Sequence, residues 1–412
     1  MKNFFIFLCG IVACFILSDC TNPTQRGKTQ TKKWVGTWAA APQLVEPYNL
    51  PPAPGLTNNT LRQVVRVSIG GDSLRLRFSN IFGKQPVTMK SVAVAVSVNG
   101  NVIDSLTQKP LVFRGASEAT MQPGETVVSD PVSFNLAPGS RLAITIAFGE
   151  TASDVTGHPG SRTTSYILGG DRVSSVDFAS PVMTDHWYII DGIDALAASE
   201  AAAIAVLGNS ITDGRGSGTN RQNRWTDILS ERLLKNPETA NYGVLNLGIG
   251  GNCVLRDGLG PTALERFDRD ILSQSSVRWL LILEGINDIG GIKTEEDARQ
   301  VTSGLINAYS LMTDKAHAKG VKVYGCTLLP FAGSVYDSPT RQNVRDSVNQ
   351  WIRNSGKFDA VIDFDKVMRS DGEPQKMQAD LHEGDFLHPN ELGYKKMGEA
   401  VDLGLFKNIL KD

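Results

Sequence analysis

From Ala202 onward the chain repeats one unit: a short, unbroken apolar run, then residues with helical spacing of the apolar positions. "AAIAVLG" leads to "RWTDILSERLL", "GVLNLG" to "PTALERFDRDILSQ", and "RWLLILEG" to a long stretch from Glu295 to Lys319. "VKVYGCTLLP" leads to "RQNVRDSVNQWIRN", and "FDAVIDF" precedes a closing helix from Asn390. Strands that are apolar along their whole length are buried on both faces, and strands separated by helices are joined in parallel. The expected fold class is α/β: a three-layer α/β/α sandwich around a five-stranded parallel sheet. Such sheets carry their sites outside the carboxyl ends of the strands. The loops after Leu207, Leu247, Leu283, Leu329 and Phe364 are therefore where chemistry is to be sought.

Residues 34–197 read differently. "LRQVVRVSIGGDSLRLRFSN" alternates on both sides of Gly70-Gly71-Asp72, "SVAVAVSVNGNVIDSL" around Asn99-Gly100-Asn101, and "PVSFNLAPGSRLAITIAF" around Pro138-Gly139. Each is a hairpin signal. Repeated short strands with turn chemistry between them predict a β-sandwich or jelly-roll domain over 34–197, ahead of an α/β domain over 198–412.

The first twenty residues, "MKNFFIFLCGIVACFILSDC", place Lys2 before an apolar run from Phe4 to Leu17. The run is shorter than the ~20 residues a spanning helix needs, so it reads as a signal peptide. "LSDC" resembles the lipid-attachment box of bacterial lipoproteins, with Asp19 standing where a small residue is usual. The alternatives are a cell-envelope lipoprotein anchored at Cys20, in the periplasm or on the outer surface, and a secreted protein. That anchor is the sole membrane contact expected. Residues 21–33 read as a polar tether. Cys9, Cys14 and Cys20 fall in this leader, so Cys253 and Cys326 leave room for one disulfide at most. Lys+Arg total 41 against Asp+Glu 43, a net charge of −2. Without a basic excess, nucleic acid is a poor partner.

The strand-end loops carry a consistent inventory. In "GNSITDGRG", Ser210 stands at a strand-to-helix turn, where a serine either caps the helix or, with a base beside it, acts as a nucleophile. In "NLGIGGNCVL", glycines either make a tight turn or turn a bare N–H toward a ligand. In "LEGINDIGG", Asn287 either bonds its own backbone or offers an amide donor. In "GDFLHPNELGY", Asp385 and His388 are three apart and would share the face of a helical turn. They are either a solvated turn or a carboxylate holding Nδ1–H with Nε2 free to take a proton. His317 sits at a helix end, His158 and His186 belong to the β region, and His382 is a loop residue or a substrate contact. A nucleophile, a base, an orienting carboxylate and oxyanion donors are what acyl transfer requires.

These four stretches, in this order from about Ala203 to the last helix, resemble the four blocks of the SGNH/GDSL hydrolase family of esterases and lipases. "WVGTWAAAP" at the start of the β region is similar to a secreted bacterial branch of that family. The resemblance implies the flavodoxin-like fold of the family and a serine esterase. It implies Ser210 as nucleophile, His388 as general base and Asp385 as its orienter. It also implies an oxyanion hole from the N–H groups of Ser210 and Gly251 and the side chain of Asn287. Gly251 is preferred to Gly250 because polar Asn252 follows it. The family carries Asp before the serine; here Asn209 stands there. No cofactor and no metal are implied.

Rival signatures fail. A dinucleotide fingerprint starting at Gly248 ends on Cys253, and one starting at Gly214 ends on Thr219. The Gly-x-Ser-x-Gly elbow fails at Thr212. No two histidines have metal-ligand spacing on one element. The expected substrate is a small-molecule or glycan ester, acetyl on carbohydrate most simply, with lipase, aryl-esterase and feruloyl-esterase activity as alternatives. A non-catalytic carbohydrate-binding surface protein is the alternative of another class. The stretches 331–339 and "TGHPGSRTTSY" are expected to shape the pocket.

Overall fold

Five largely apolar strands form the parallel sheet: β1 (Ala202–Gly208), β2 (Tyr242–Gly248), β3 (Val277–Leu283), β4 (Lys322–Cys326) and β5 (Ala360–Ile362). The computed structural model describes residues 1–2 and 31–407. The expected signal peptide, the lipid-attachment cysteine Cys20 and most of the tether lie outside the described residues. Spatial order is β2-β1-β3-β4-β5. Every residue of β1 is buried, which is what a central strand covered by helices on both faces requires.

The helices fall where the periodicity places them. They are α1 (Ser210–Asp213), α2 (Trp225–Lys235), α3 (Ala263–Phe267), α4 (Ile286–Gly290), α5 (Glu295–His317), α6 (Pro339–Asn354), α7 (Phe364–Met368) and α8 (Glu391–Ala400). Local chemistry sets the ends of the longer ones. Thr294 caps α5 in a reciprocal box with Asp297, and Ser338 caps α6 ahead of Pro339. Trp225, Leu229 and Leu233 recur on the buried face of α2, the spacing of an amphipathic helix on a sheet.

Strand order reverses at β1, whose neighbours β2 and β3 both follow it in sequence. A crevice opens at such a switch point. The loops after β1, β2 and β3 carry Ser210, Gly251 and Asn287, so three adjacent strands deliver them to one rim.

Residues 32–198 form antiparallel β structure: an eight-stranded sheet, a five-stranded sheet and a small three-stranded one. The inner faces of the two larger sheets share one core, with Leu61, Val65 and Ile144 from one and Leu74, Phe78 and Ile193 from the other. That is a sandwich.

Two of the three expected hairpins are not hairpins. Strand Asn59–Arg66 lies in the eight-stranded sheet beside Arg141–Phe148, whereas Gly71–Ser79 lies in the five-stranded sheet. The Gly70-Gly71-Asp72 turn therefore carries the chain from one sheet to the other. Pro138-Gly139 does the same between Val132–Leu136 and Arg141–Phe148. Only Asn99-Gly100-Asn101 closes a hairpin, pairing Asn99 with Val102. Turn residues specify a reversal of direction; the burial of each strand's apolar face selects the sheet it joins.

Both halves belong to one compact unit, Lys32–Asp412. Val35, Ala39 and Ile69 pack into the same apolar cluster as β1 and β2. Ser68 Oγ accepts from Val244 N–H at 3.1 Å, and Gly36 N–H donates to the Ser275 carbonyl at 3.0 Å. Cys253 and Cys326, the pair available for a disulfide, are both free and buried. Among the described residues no helix is long and apolar enough to cross a membrane.

Candidate active site

Asn209 begins the site. Its side-chain oxygen accepts from Ile211 N–H at 3.1 Å and caps the four-residue helix α1. Gly214, at φ +103°, ends that helix one turn later. Ser210 is thereby fixed at the first helical position, at the end of β1. Here the hydroxyl of Ser210 is not the cap; Asn209 is.

Ser210 Oγ lies 2.9 Å from His388 Nε2, and His388 Nδ1 lies 2.6 Å from Asp385 Oδ2. With a carboxylate on Nδ1, the ring carries its proton there and presents Nε2 as acceptor to the serine hydroxyl. The expected helical turn over Asp385–His388 is not what forms. The segment is an irregular bend with Phe386 at φ +59°. Asp385 Oδ1 closes it by accepting from Leu387 and His388 N–H, both at 2.9 Å. One carboxylate thus holds its own turn with one oxygen and the imidazole with the other.

Burial pushes Asp385 upward, but the hydrogen bonds from His388 and Leu387 outweigh it and hold the carboxyl below its ordinary range. Burial pushes the His388 imidazole below its ordinary value; Asp385 opposes this and the Arg215 charge adds to it. The ring is therefore a neutral base at neutral pH. Tyr394 Oη donates to the Arg215 carbonyl at 2.5 Å, which ties the last helix to the turn after α1.

The expected oxyanion donors are held as firmly. Gly251 has φ +71°, a conformation that favours glycine, so its amide can face the cleft with no side chain in the way. Among the described residues, the N–H groups of Ser210 and Gly251 donate to no protein acceptor. Asn287 Nδ2 gives one hydrogen to the Asn252 carbonyl at 2.7 Å and keeps the other, while its Oδ1 accepts from Tyr336 Oη at 2.9 Å. Neighbouring Asp288 accepts from Val254 and Leu255 N–H, both at 2.9 Å, locking the β2 loop against the β3 loop. Ser210, Gly250, Gly251, Asn287, Tyr336 and His388 all line one cavity of ≈ 350 Å³.

Sequence reasoning missed several contributors. Tyr336 and Arg162 come from the two stretches expected to shape the pocket, but neither carried a motif. Gln43, Glu46, Asn49 and His186 also line the cavity, brought there around the small three-stranded sheet that joins Gln43–Leu44, Thr156–His158 and Trp187–Tyr188. Asp213, one turn after Ser210, is buried and sits 2.9 Å from His158 Nε2, whose Nδ1 faces the Ala41 carbonyl at 2.9 Å. A Cβ on Gly160 would lie 1.9 Å from Asp213 Oδ2, so the 158–162 loop packs directly on α1. Buried Arg224 clamps the two, donating to the Asp213 and Ser161 carbonyls.

The remaining histidines stand apart. His317 Nε2 is 2.8 Å from Asp359 at the end of α5, and His382 packs on Phe386 with its Nδ1 accepting from Gly384 N–H. Among the described residues no group of three or more His, Cys, Asp or Glu could hold a metal ion.

The family model described as "GDSL-like Lipase/Acylhydrolase family" matches residues 206–396, from β1 to α8. No curated protein matches the chain. Similar solved structures include a GDSL-like lipase from Bacteroides thetaiotaomicron VPI-5482, with 22% identity over 48% of this chain and 84% of that one, TM-score 0.33. A lipase/acylhydrolase from Enterococcus faecalis shares 20% identity over 48% and 92%, TM-score 0.37. An acetyl xylan esterase, AlAXEase, shares 19% over 48% and 96%, TM-score 0.37. Residues 206–396 are thus a GDSL-like lipase/acylhydrolase domain, and the protein is a carboxylic ester hydrolase.

Proposed function

We propose that the cleft removes acyl groups, acetyl most simply, from carbohydrates through an acyl-enzyme on Ser210. His388 Nε2 takes the hydroxyl proton as Ser210 Oγ attacks the ester carbonyl. The oxyanion is held by the N–H groups of Ser210 and Gly251 and the free amide hydrogen of Asn287. His388 then gives its proton to the leaving alcohol oxygen. Water repeats the sequence on the acyl-enzyme, releasing the acid and Ser210. Asp385 orients the ring and stabilises the imidazolium throughout. The observation that carries this reading is the 2.9 Å contact of Ser210 Oγ with His388 Nε2 in the lining of the cavity.

The carbohydrate part rests on polar side chains that line the same cavity. Gln43, Glu46, Asn49, Arg162 and His186 present amides, a carboxylate, a guanidinium and an imidazole to a ligand rich in hydroxyls. Purified protein should release acetate from acetylated oligosaccharides and cleave short p-nitrophenyl esters faster than long ones, and Ser210→Ala should do neither. Preference for acyl chains of eight or more carbons would overturn the carbohydrate assignment. We propose also that residues 1–20 direct export with lipid attachment at Cys20. Palmitate labelling of the full chain should then be lost in Cys20→Ala.

A further inference from the structure

Two guanidinium groups face the catalytic cavity with no hydrogen-bond acceptor of their own. Arg162 comes from the β-rich half and Arg215 from the turn after α1, and both line the cavity that holds Ser210 and His388. The acids in the same wall are already served. Glu46 accepts from Gln43 Nε2 at 2.6 Å and Asn49 Nδ2 at 2.9 Å, and Asp213 is engaged by His158. The nearest carboxylate oxygen to Arg162, Asp213 Oδ2, is 4.0 Å from Nη2, beyond hydrogen-bond reach, and Arg162 Nε is buried without a partner. Among the described residues Arg215 makes no ion pair, and its side chain no hydrogen bond, yet its charge acts on the His388 ring and on Tyr336.

Arg162 is also deliberately placed. Its backbone has φ +50°, a left-handed conformation that a side chain as large as arginine rarely adopts. Asn220 N–H on the Arg162 carbonyl, at 2.9 Å, and Arg224 on the Ser161 carbonyl hold it there. Backbone strain of this kind persists only where the surroundings enforce it.

The direction of the reaction says which part of the ester meets these cations. The acyl carbonyl oxygen must lie toward Gly251 and Asn287. The leaving oxygen must lie toward His388, which protonates it, and Arg215 is the cation acting on that ring. The alcohol part therefore extends past His388 into the cavity that Arg215 and Arg162 also line. We propose that Arg162 and Arg215 form a carboxylate-recognising subsite, so that the preferred ester is one whose alcohol part is an acidic sugar such as a uronic acid. A guanidinium fork matches a carboxylate in two parallel hydrogen bonds. The proposal rests on the ester-hydrolase reading above and names its substrate class.

The test uses the full chain carrying Ser210→Ala, titrated calorimetrically with methyl glucuronoside and with neutral methyl glucoside. The acid should bind about 10-fold tighter or more, the size expected of charge-assisted hydrogen bonds. That advantage should weaken with salt and shrink in Arg162→Met and in Arg215→Met; exposed Arg215 is the substitution that leaves the fold least disturbed. Acid and neutral sugars binding alike, or neither binding, or an advantage that survives both substitutions, overturns the subsite. Hydrolysis of the acetylated forms of both sugars by the unsubstituted protein separates the two readings. Acid preference in binding with neither ester cleaved removes the hydrolase reading and keeps the subsite. Both esters cleaved at equal kcat/KM, without binding preference, does the reverse.

Discussion

Asn209 Nδ2 donates to Glu284 Oε2 at 2.5 Å, and both residues are buried beside the turn that carries Ser210. The same Asn209 side chain caps α1 with its oxygen, so the amide bridges a buried carboxyl of β3's loop to the helix that carries Ser210. An aspartate at this position would replace the donating amide with a second carboxyl group facing Glu284. Asn209→Asp should destabilise the fold by about 1–3 kcal/mol, and Glu284→Gln in the same chain should recover most of the loss. Urea denaturation of the two single variants and the double variant measures the coupling directly. Additive losses would show that the two positions act independently.

Glu284 predicts a pH dependence of stability. Burial pushes its carboxyl up to about 8, against the pull of Arg266 and the Asn209 bond, from an ordinary 4.5. Between those values the folded state holds a proton that the unfolded state has released. Its contribution is therefore present in full below about pH 4.5 and is lost as pH rises through about 8. The Tm of the native protein should fall over this window more steeply than that of Glu284→Gln. Parallel Tm profiles from pH 5 to 9 would contradict the assignment.

Tyr336 positions the Asn287 amide by donating to its Oδ1 at 2.9 Å. Tyr336→Phe keeps the ring and removes the bond, worth about 0.5–1.5 kcal/mol, so kcat should drop roughly 2–10-fold. KM should change little, because the amide acts mainly on the oxyanion of the transition state. Steady-state kinetics with a short p-nitrophenyl ester, where chemistry limits the rate, is the appropriate measurement. Asn287→Ala should cost more, about 10²–10³ in kcat.

The acid limb of the pH–rate profile reports the base. Burial and Arg215 hold the His388 imidazole below 6.5, so activity should persist on the acid side of an ordinary histidine titration. Removing the Arg215 charge removes one of the lowering influences. In Arg215→Met the limb of kcat/KM should move to higher pH, whereas an unmoved limb would dissociate Arg215 from the catalytic ring.

What the sequence made legible follows from range. The parallel sheet was readable because β1 to β4 are short, mainly apolar runs alternating with segments of helical spacing. Ser210, Gly251, Asn287, Asp385 and His388 were singled out through the resemblance of four short blocks, and the structure brings all of them but Asp385 to one cavity, with Asp385 on His388. The sheet crossings at Gly70-Gly71 and Pro138-Gly139 were not, since a local turn signal looks the same whether the next strand pairs beside the last or across the sandwich. Arg162 and Tyr336 were hidden for a related reason. Their contacts, with Asp213 and Asn287, bridge 51 and 49 positions of chain, and neither neighbourhood announces its partner. The bend at Asp385–His388 was misread as a helical turn because Asp-x-x-His has the same spacing in both; the carboxylate bonding two N–H groups of its own loop decided it.

The central claim is that His388 turns Ser210, and no other residue, into the nucleophile. The most direct measurement is covalent labelling by a fluorophosphonate, read by intact mass and peptide mapping. One adduct per chain, on Ser210, should form rapidly in the native protein. Labelling should be slower by orders of magnitude in His388→Ala and absent in Ser210→Ala. An adduct on another residue, or equal labelling rates with and without the His388 imidazole, would contradict that claim.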